Sequence, residues 1–114
     1  MSQNIALIFS PDGQPLPDSV REWMGSRRSP TRLERDPDEI MRGALRARPR
    51  LVLVDARHDA AAAIKMCRRL KLDSFTGIVP VVLATRDDDA AFAAAFDAGA
   101  DEVLREGTGT HEVS

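Results

Sequence analysis

Short apolar runs alternate with stretches of helical spacing along the whole chain. Runs of strand-forming residues occur at Asn4–Phe9, Leu51–Val54, Ile78–Ala84 and Val103–Leu104. These runs are continuous, which is typical of strands that are buried on both faces of a parallel sheet. Ser29–Arg35 is more polar and contains Pro30, so we predict a weaker second strand there, at an edge of the sheet.

The segments between these runs have the spacing of amphipathic helices. The predicted helices run from Asp18 to Gly25, from Pro37 past Leu45, from about Asp59 to Leu72, and from Asp87 to Ala98. Asp18 or Ser19, and Asp36, are the expected caps of the first two helices, and Gly25 and Gly99 are expected to end the first and fourth. Positions expected to face the core are Leu16, Val20, Trp23, Met24, Ile40, Met41, Ala44, Leu45, Ile64, Cys67 and Leu70.

This alternation of strands and helices predicts an α/β protein with a doubly wound, five-stranded parallel sheet. Only ten residues follow Leu104, and they have neither the length nor the apolar spacing of a fifth covering helix. Both faces of a parallel sheet must be covered. We therefore expect a bare patch, to be covered by a partner subunit, a swapped segment or further sequence. We favour further sequence, with the chain as part of a longer protein.

Composition narrows the class of protein without indicating a ligand. With 114 residues there is room for one domain, and 16 basic against 18 acidic side chains give no global field that would recruit nucleic acid or a membrane surface. The single cysteine, Cys67, cannot form an internal disulfide and lacks the companions of a zinc site. We expect a reduced, cytoplasmic protein.

Asp55 is the candidate functional residue that the pattern singles out. It follows the apolar run Leu51–Val54, and ligands of open α/β sheets bind at the carboxyl ends of the strands. The structural alternative is that Asp55 caps the following helix, a role that aspartate fills well. Residue type alone does not decide between these two readings.

The chain resembles the receiver domains of response regulators in bacterial two-component signalling. Arg48–Asp55 resembles the strand that carries the phospho-acceptor aspartate, and Cys67–Lys71, Val79–Thr85 and Ala98–Leu104 resemble later segments in the same order. The resemblance covers about residues 4 to 107. It implies a flavodoxin-like receiver fold with strand order 2-1-3-4-5, lacking its last helix. We accordingly predict a receiver-like domain over residues 1–107 and a tail or linker start at 108–114.

The resemblance also assigns positions in the site, and half of them are altered. Asp55 matches the phospho-acceptor and Thr85 matches the hydroxyl that contacts the phosphoryl group. The acidic pair that holds Mg²⁺ in the family aligns with Phe9-Ser10, and the lysine that pairs with the phosphate aligns with Glu106. Arg105 is the nearest cation.

These departures argue against efficient phosphorylation. Mg²⁺ prefers several oxygen ligands, and phosphoryl transfer needs metal and cationic groups to neutralise charge. Asp12 is a weak substitute ligand, because it lies in a Pro- and Gly-containing loop where a solvated carboxylate is the simpler reading. We hypothesise that Arg57 replaces the metal by pairing with Asp55, with Ser10 as a further hydrogen-bond donor. The alternative is that Arg57 is solvated in the loop.

The resulting expectation is an atypical receiver that is not an enzyme and needs no cofactor. It is similar to phosphorylation-independent receivers of some bacterial transcription regulators that carry a Val-Asp-Ala-Arg-like motif. The resemblance implies protein partners: an output domain beyond residue 114, a possible homodimer through the fourth helix and fifth strand, and an undetermined histidine kinase.

Small residues on the predicted fourth helix suit close contact between two helices, although an Ala-rich helix is also simply a stable helix. They are Ala90, Ala91, Ala93, Ala94 and Ala95. Phe92 and Phe96 are expected to anchor the core.

Three other functions have some support in the sequence. A conventional phospho-acceptor with Asp55 and Mg²⁺ is the main alternative. A cobalamin-binding module is the second. It does not fit the motif Asp-x-His-x-x-Gly, because His58 lies one position too late after Asp55 and Ala60-Ala61 stand where the glycine is needed. Arg27-Arg28 and Arg68-Arg69 are better read as solvated faces than as a nucleic-acid site, so we expect neither nucleic acid nor membrane as a partner of this domain.

Overall fold

Strands and helices alternate along the chain as the sequence predicts. The computed structural model describes residues 5–14, 16, 18–25 and 30–105. In chain order the elements are β1 (Ala6–Phe9), α1 (Asp18–Gly25), β2 (Thr31–Glu34), α2 (Pro37–Ala47), β3 (Leu51–Asp55), α3 (Ala60–Leu72), β4 (Val81–Thr85), α4 (Asp89–Asp97) and β5 (Glu102–Arg105). None of these helices has the length and apolar character that crossing a membrane would require.

The five strands form one parallel sheet in the order β2-β1-β3-β4-β5. The predicted doubly wound α/β fold and its strand order are therefore confirmed. In the register, Phe9 of β1 lies beside Val54, and Asp55 lies beside Ala84 of β4. The carboxyl ends of β1, β3 and β4 consequently meet at one edge of the sheet, which fixes where a site can form.

The helices divide between the two faces of the sheet. α2, α3 and α4 cover one face, and the buried core there includes Val52 and Val54. The other face, which includes Leu51, Leu53 and Val82, packs with Val20 of α1. These strand side chains are buried, and the bare patch expected from the absence of a fifth covering helix stays a prediction.

Aspartates begin three of the helices, as their sequence positions suggest. The Asp36 side chain accepts a hydrogen bond from the Asp38 N–H, and Asp59 accepts one from the Ala62 N–H. Asp88 accepts from both Ala90 and Ala91 at the start of α4. Each cap satisfies donors that a helix N-terminus leaves without an intrahelical partner.

Three predictions of core-facing residues are wrong, each for a local reason. Ile78 is exposed because the fourth strand begins only at Val81, after a turn. Leu45 is exposed because α2 turns Gly43 and Ala44 toward the sheet instead. Phe96 is exposed because α4 approaches the sheet through its small residues; Ala95 is fully buried.

Candidate functional site

The candidate site lies at the carboxyl end of β3, where the chain leaves the sheet. Asp55 is the last residue of β3, and the next two residues, Ala56 and Arg57, are also buried. The N-cap of the following helix is Asp59, so Asp55 does not cap that helix. Helix capping is therefore excluded as the role of Asp55, and the burial of its carboxylate must be explained by another contact.

Arg57 holds both oxygens of the Asp55 carboxylate. Its Nε donates to Oδ1 at 3.0 Å and its Nη2 donates to Oδ2 at 2.9 Å. The backbone N–H of Arg57 also donates to Oδ1, at 3.1 Å. The two side chains are 1% and 8% exposed, so this pair is almost completely removed from water. Arg57 is therefore not the solvated loop residue that was the alternative reading.

The fork of the guanidinium matches the carboxylate, so the contact is geometrically specific as well as charged. We call this arrangement the Asp55–Arg57 clamp. A buried carboxylate without a partner would be strongly destabilising, and the clamp removes that penalty. Both oxygen atoms of Asp55 thus already accept hydrogen bonds from Arg57.

Ser10 turns away from Asp55 and toward its own loop. Phe9 and Ser10, which align with the acidic pair of the family, are both buried at the end of β1. The Ser10 hydroxyl lies 3.1 Å from the carbonyl oxygen of Gln14 and 3.3 Å from Oδ1 of Asp12, and can donate to either. The expected hydrogen bond from Ser10 to Asp55 is not among the contacts of the described residues.

Asp12 is partly exposed and makes its contacts within the loop that follows β1. The Gln14 N–H donates to its Oδ1 at 3.0 Å, and Nε2 of His58 lies 4.0 Å from its Oδ2. The hydrogen bond from Gln14, with the nearby His58 and Ser10, lowers the pKa of Asp12 against the opposing effect of burial. Sequence reasoning missed His58 here. The signal was available, because Asp12 and His58 follow the ends of neighbouring strands.

Thr85 presents an unsatisfied hydroxyl at the end of the adjacent strand. It is the last residue of β4, and its side chain is buried. Its Oγ1 makes no hydrogen bond within the part of the chain that the structure describes. A buried hydroxyl without a partner costs about 1–3 kcal/mol, so this group is a candidate contact for a further atom at the site.

The residues present do not fit Mg²⁺. The cationic guanidinium of Arg57 occupies both oxygens of Asp55, and the acidic pair of the family is replaced by an apolar ring and a hydroxyl at Phe9 and Ser10. Asp12 is the remaining carboxylate of the site, and it is engaged by its own loop and faces His58. Nowhere among the described residues do three potential ligands of the His, Cys, Asp or Glu types converge on a metal position.

The position of the family lysine lies outside the described residues, since it falls on Glu106. Its neighbour Arg105 is described and contacts residues at the start of α4. Arg105 forms ion pairs with Asp87 at 2.9 Å and Asp89 at 3.0 Å. Its guanidinium carbon also lies 5.1 Å from the centre of the Phe92 ring, within the range of a cation–π contact.

These contacts join β5 to the start of α4 and shape the outer surface of both elements. Phe92 meets Phe96 edge to face, with ring centres 5.1 Å apart. Phe92 is half-buried, and Ala93, Ala94 and Phe96 are exposed. Phe96 is thus an exposed side chain of α4 and not the core anchor that we predicted, whereas Phe92 is half-buried and contacts Arg105.

Solved structures of other proteins independently support the fold of this chain. No family model matches the sequence, and no curated protein matches it. Similar solved structures include a candidate response regulator from Chloroflexus aurantiacus J-10-fl, with 21% identity, a TM-score of 0.70 and coverage of 90% of this chain and 84% of that one. The receiver domain of a signal transduction histidine kinase from Syntrophus aciditrophicus has 21% identity, a TM-score of 0.67 and coverage of 94% and 85%.

A third similar structure is the chemotaxis protein CheY4 of Vibrio cholerae. It has 12% identity and a TM-score of 0.66, and the match covers 90% of this chain and 85% of that one. At such identities the shared property is the arrangement of strands and helices, not the chemistry of the site. Together with the strand order, these matches show that the chain has the fold of response-regulator receiver domains.

Proposed function

We propose that this chain is a receiver domain that regulates through protein contacts and is not efficiently phosphorylated on Asp55. One observation carries the proposal: Arg57 binds both carboxylate oxygens of Asp55 in a nearly dry pocket. In the conventional reaction this carboxylate must attack a phosphorus atom while a metal neutralises the transferred oxygens. Here a permanent cation from the same loop holds it.

The clamp affects reactivity through both access and charge. An attacking oxygen must be free to approach its electrophile, whereas each oxygen of Asp55 already accepts a hydrogen bond at about 3 Å. A charge-assisted hydrogen bond also stabilises the carboxylate in its ground state, by roughly 1.5–3 kcal/mol. Both effects lower the reactivity of Asp55.

In this proposal the domain works by binding and not as an enzyme, in the cytoplasm and within a longer signalling or transcription protein. The surface of α4 and β5 is the proposed homodimer contact. Arg105 pairs with Asp87 and Asp89 on this surface, and Phe96 and Ala93 are exposed on it. Its partners would be a second copy, an output domain or another protein, with no direct part for nucleic acid or membrane.

One observation favours a second candidate, a conventional phospho-accepting receiver. The unsatisfied hydroxyl of Thr85 ends the strand beside Asp55, as expected of a residue that contacts a phosphoryl group. In that case Arg57 would have to release Asp55, and Asp12 would have to turn from its loop to serve as a metal ligand.

The test is the intact mass of the protein after incubation with Mg²⁺ and acetyl phosphate. Asp55→Asn serves as the control for the site of modification, and a conventional receiver treated in parallel shows that the phosphodonor is active. Circular dichroism confirms that each variant is folded. We expect no phosphoryl adduct on the unaltered protein. An adduct that disappears in Asp55→Asn would establish the second candidate instead.

A further variant separates the clamp from the missing ligands. Arg57→Ala frees the oxygens of Asp55 but restores neither the acidic pair nor the lysine. If the clamp alone prevents the reaction, this variant gains an adduct that the unaltered protein lacks. If the absent ligands also prevent it, the variant remains unmodified. Because either result is compatible with the proposal, the proposal is tested by the presence or absence of an adduct on the unaltered protein.

A further inference from the structure

An apolar cleft opens at the amino ends of the strands, at the opposite edge of the sheet from Asp55. It has a volume of about 340 Å³ and lies between the end of α2 and the turn that joins α3 to β4. Its wall includes three large apolar side chains that are open to solvent. These are Leu45, Phe75 and Ile78, which are 48%, 76% and 85% exposed. We call this feature the Leu45–Ile78 cleft.

The turn that carries Phe75 and Ile78 is rigidly built. The Asp73 carboxylate accepts hydrogen bonds from the backbone N–H groups of Phe75 and Thr76, at 2.8 and 3.1 Å. The buried hydroxyl of Thr76 donates to the carbonyl of Leu70 at 2.7 Å. Gly77 donates to the carbonyl oxygen of Asp73 at 2.7 Å. A Cβ added at Gly77 would lie 2.8 Å from that oxygen, so the turn is also closely packed.

A turn held in this way presents its two apolar side chains in one fixed arrangement. Rigid, exposed apolar anchors lower the entropy that a partner must lose on binding. Clustered exposed apolar side chains on a soluble protein commonly mark an interaction site. The rigidity of the turn therefore indicates a binding surface and not an unfolded loop that happens to be apolar.

Three basic residues follow one another closely where α2 ends and β3 begins. Arg46, Arg48 and Arg50 form no ion pair within the residues that the structure describes. Arg48 lines the cleft, and the Nε of Arg50 is buried without a hydrogen-bond partner. The neighbouring carboxylate, Asp73, is already engaged by its own turn. The surface is thus complementary to acidic groups.

The backbone at Arg48 supports this reading. Arg48 caps α2 with φ of 48°, in the left-handed region that glycine adopts with least strain. An arginine held there costs about 1–2 kcal/mol of backbone strain relative to a residue suited to that region. A strained residue at the edge of a cleft, where a glycine would serve the fold better, points to a use for its side chain.

We infer that the Leu45–Ile78 cleft binds an acidic segment of a partner protein that also carries apolar side chains. The apolar side chains would enter between Leu45, Phe75 and Ile78, and the carboxylates would pair with Arg46 and Arg48. This contact is independent of the proposed role of Asp55, because the two surfaces lie at opposite ends of the parallel strands.

The test uses two synthetic peptides of equal length and identical leucine spacing, suited to an amphipathic helix. One carries glutamate at its polar positions and the other carries lysine. Each is titrated into the ¹⁵N-labelled full chain and followed by NMR chemical shifts. We expect the glutamate peptide to bind at least about tenfold more tightly and to shift the amides of Leu45, Phe75 and Ile78. Added salt should weaken this binding.

Two variants and a matched control give the proposal its sharpest test. Arg48→Gly removes the cation and relieves the strained φ, so it should leave the fold at least as stable while weakening the glutamate peptide several-fold. Phe75→Ser should abolish binding. Arg86→Gly, an exposed arginine at the other edge of the sheet, should leave binding unchanged.

Four outcomes would overturn the inference. These are equal affinity for both peptides, shifts confined to another surface, no binding of either peptide at about 1 mM, and a glutamate complex that Arg48→Gly leaves unchanged. A fifth would replace the occupant. Self-association in sedimentation that Phe75→Ser abolishes would show that a second copy of the chain fills the cleft.

Discussion

A carboxylate that is buried as deeply as Asp55 must be neutralised or paired, and this chain pairs it with the nearest cation in the sequence. The contact between Asp55 and Arg57 spans two residues and uses both carboxylate oxygens. Removing one member of a buried pair leaves the other charge without compensation, and that cost exceeds the net value of the pair. The stability of the site therefore depends on both residues together.

We expect Arg57→Ala to lower the free energy of unfolding by roughly 3–5 kcal/mol, because it leaves the Asp55 charge buried alone. Asp55→Asn combined with Arg57→Ala should recover a large part of this loss, since neither charge then remains. Urea unfolding of both single variants and the double variant measures the coupling. Arg86→Ala is the exposed control. Losses that simply add in the double variant would show that the two side chains do not act as a pair.

The sequence indicated part of this site and could not indicate the rest. The clamp was predictable because its members are two residues apart at a strand end, so no long-range packing decides whether they meet. The position of Asp12 was not predictable, because it depends on the path of the loop that contains Pro11. That path is set by the contacts of Ser10 and Gln14, which periodicity does not encode.

Among the elements, α4 shows how local chemistry determines where a helix begins. Asp88 accepts hydrogen bonds from Ala90 and Ala91 at 2.7 and 3.2 Å, and its charge favours the positive end of the helix. Alanines form most of the helix and Ala95 is its buried side chain, so the helix has only a small buried face. The cap consequently matters more here than in a helix with a large buried face.

Asp88→Ala should destabilise the protein by about 0.5–2 kcal/mol, since two N–H groups lose their acceptor. The matched control is Asp97→Ala, which removes the same side chain from the exposed last turn of the same helix. Aspartate is unfavourable at that end, so the control should be neutral or slightly stabilising. Thermal unfolding followed by circular dichroism measures both. Equal losses in the two variants would contradict a capping role.

Element boundaries were harder to predict than element order. The order follows from apolar runs and helical spacing, and these patterns are still recognised when the ends of a strand or helix are assigned slightly wrongly. Ile78 belongs to the apolar run before β4, yet the hydrogen-bonded turn at Asp73–Val79 keeps it out of the sheet. Leu45 and Phe96 have acceptable helical spacing, but the close approach of the helices to the sheet at Gly43, Ala44 and Ala95 determined which side faces the core.

At the scale of the molecule, Asp101 and Lys71 tie together three elements at the amino ends of the strands. Lys71 Nζ lies 2.8 Å from Asp101 Oδ2 and also donates to the carbonyl of Val79. The same Asp101 oxygen accepts the backbone N–H of Val81. Burial acts to raise the pKa of Asp101, but the hydrogen bonds from Lys71 and Val81 outweigh it and hold that pKa below its ordinary value.

This shift predicts how stability depends on pH. A carboxylate whose pKa is lowered by folding stabilises the protein above its ordinary pKa of 3.8, and the effect is lost as the pH falls through the folded value. Asp101→Asn should therefore unfold at a lower temperature at neutral pH, and the difference should shrink in acid. The loss should not exceed about 1 kcal/mol, because water screens a half-exposed pair. Glu102→Gln, which changes an exposed neighbour in the same way, is the control and should leave the unfolding temperature at neutral pH nearly unchanged.

The separation between Asp55 and Arg57 also bears on how this pocket can change over time. A single replacement at position 57 would open both oxygens of Asp55, whereas restoring an acidic pair would require two charged residues at Phe9 and Ser10, inside the core of a different strand. Exposing the carboxylate is thus one mutational step, and building a metal site is several steps that each risk the fold. Because replacing Arg57 also leaves the Asp55 charge buried alone, even the single step costs stability, and the fold itself resists change in this pocket.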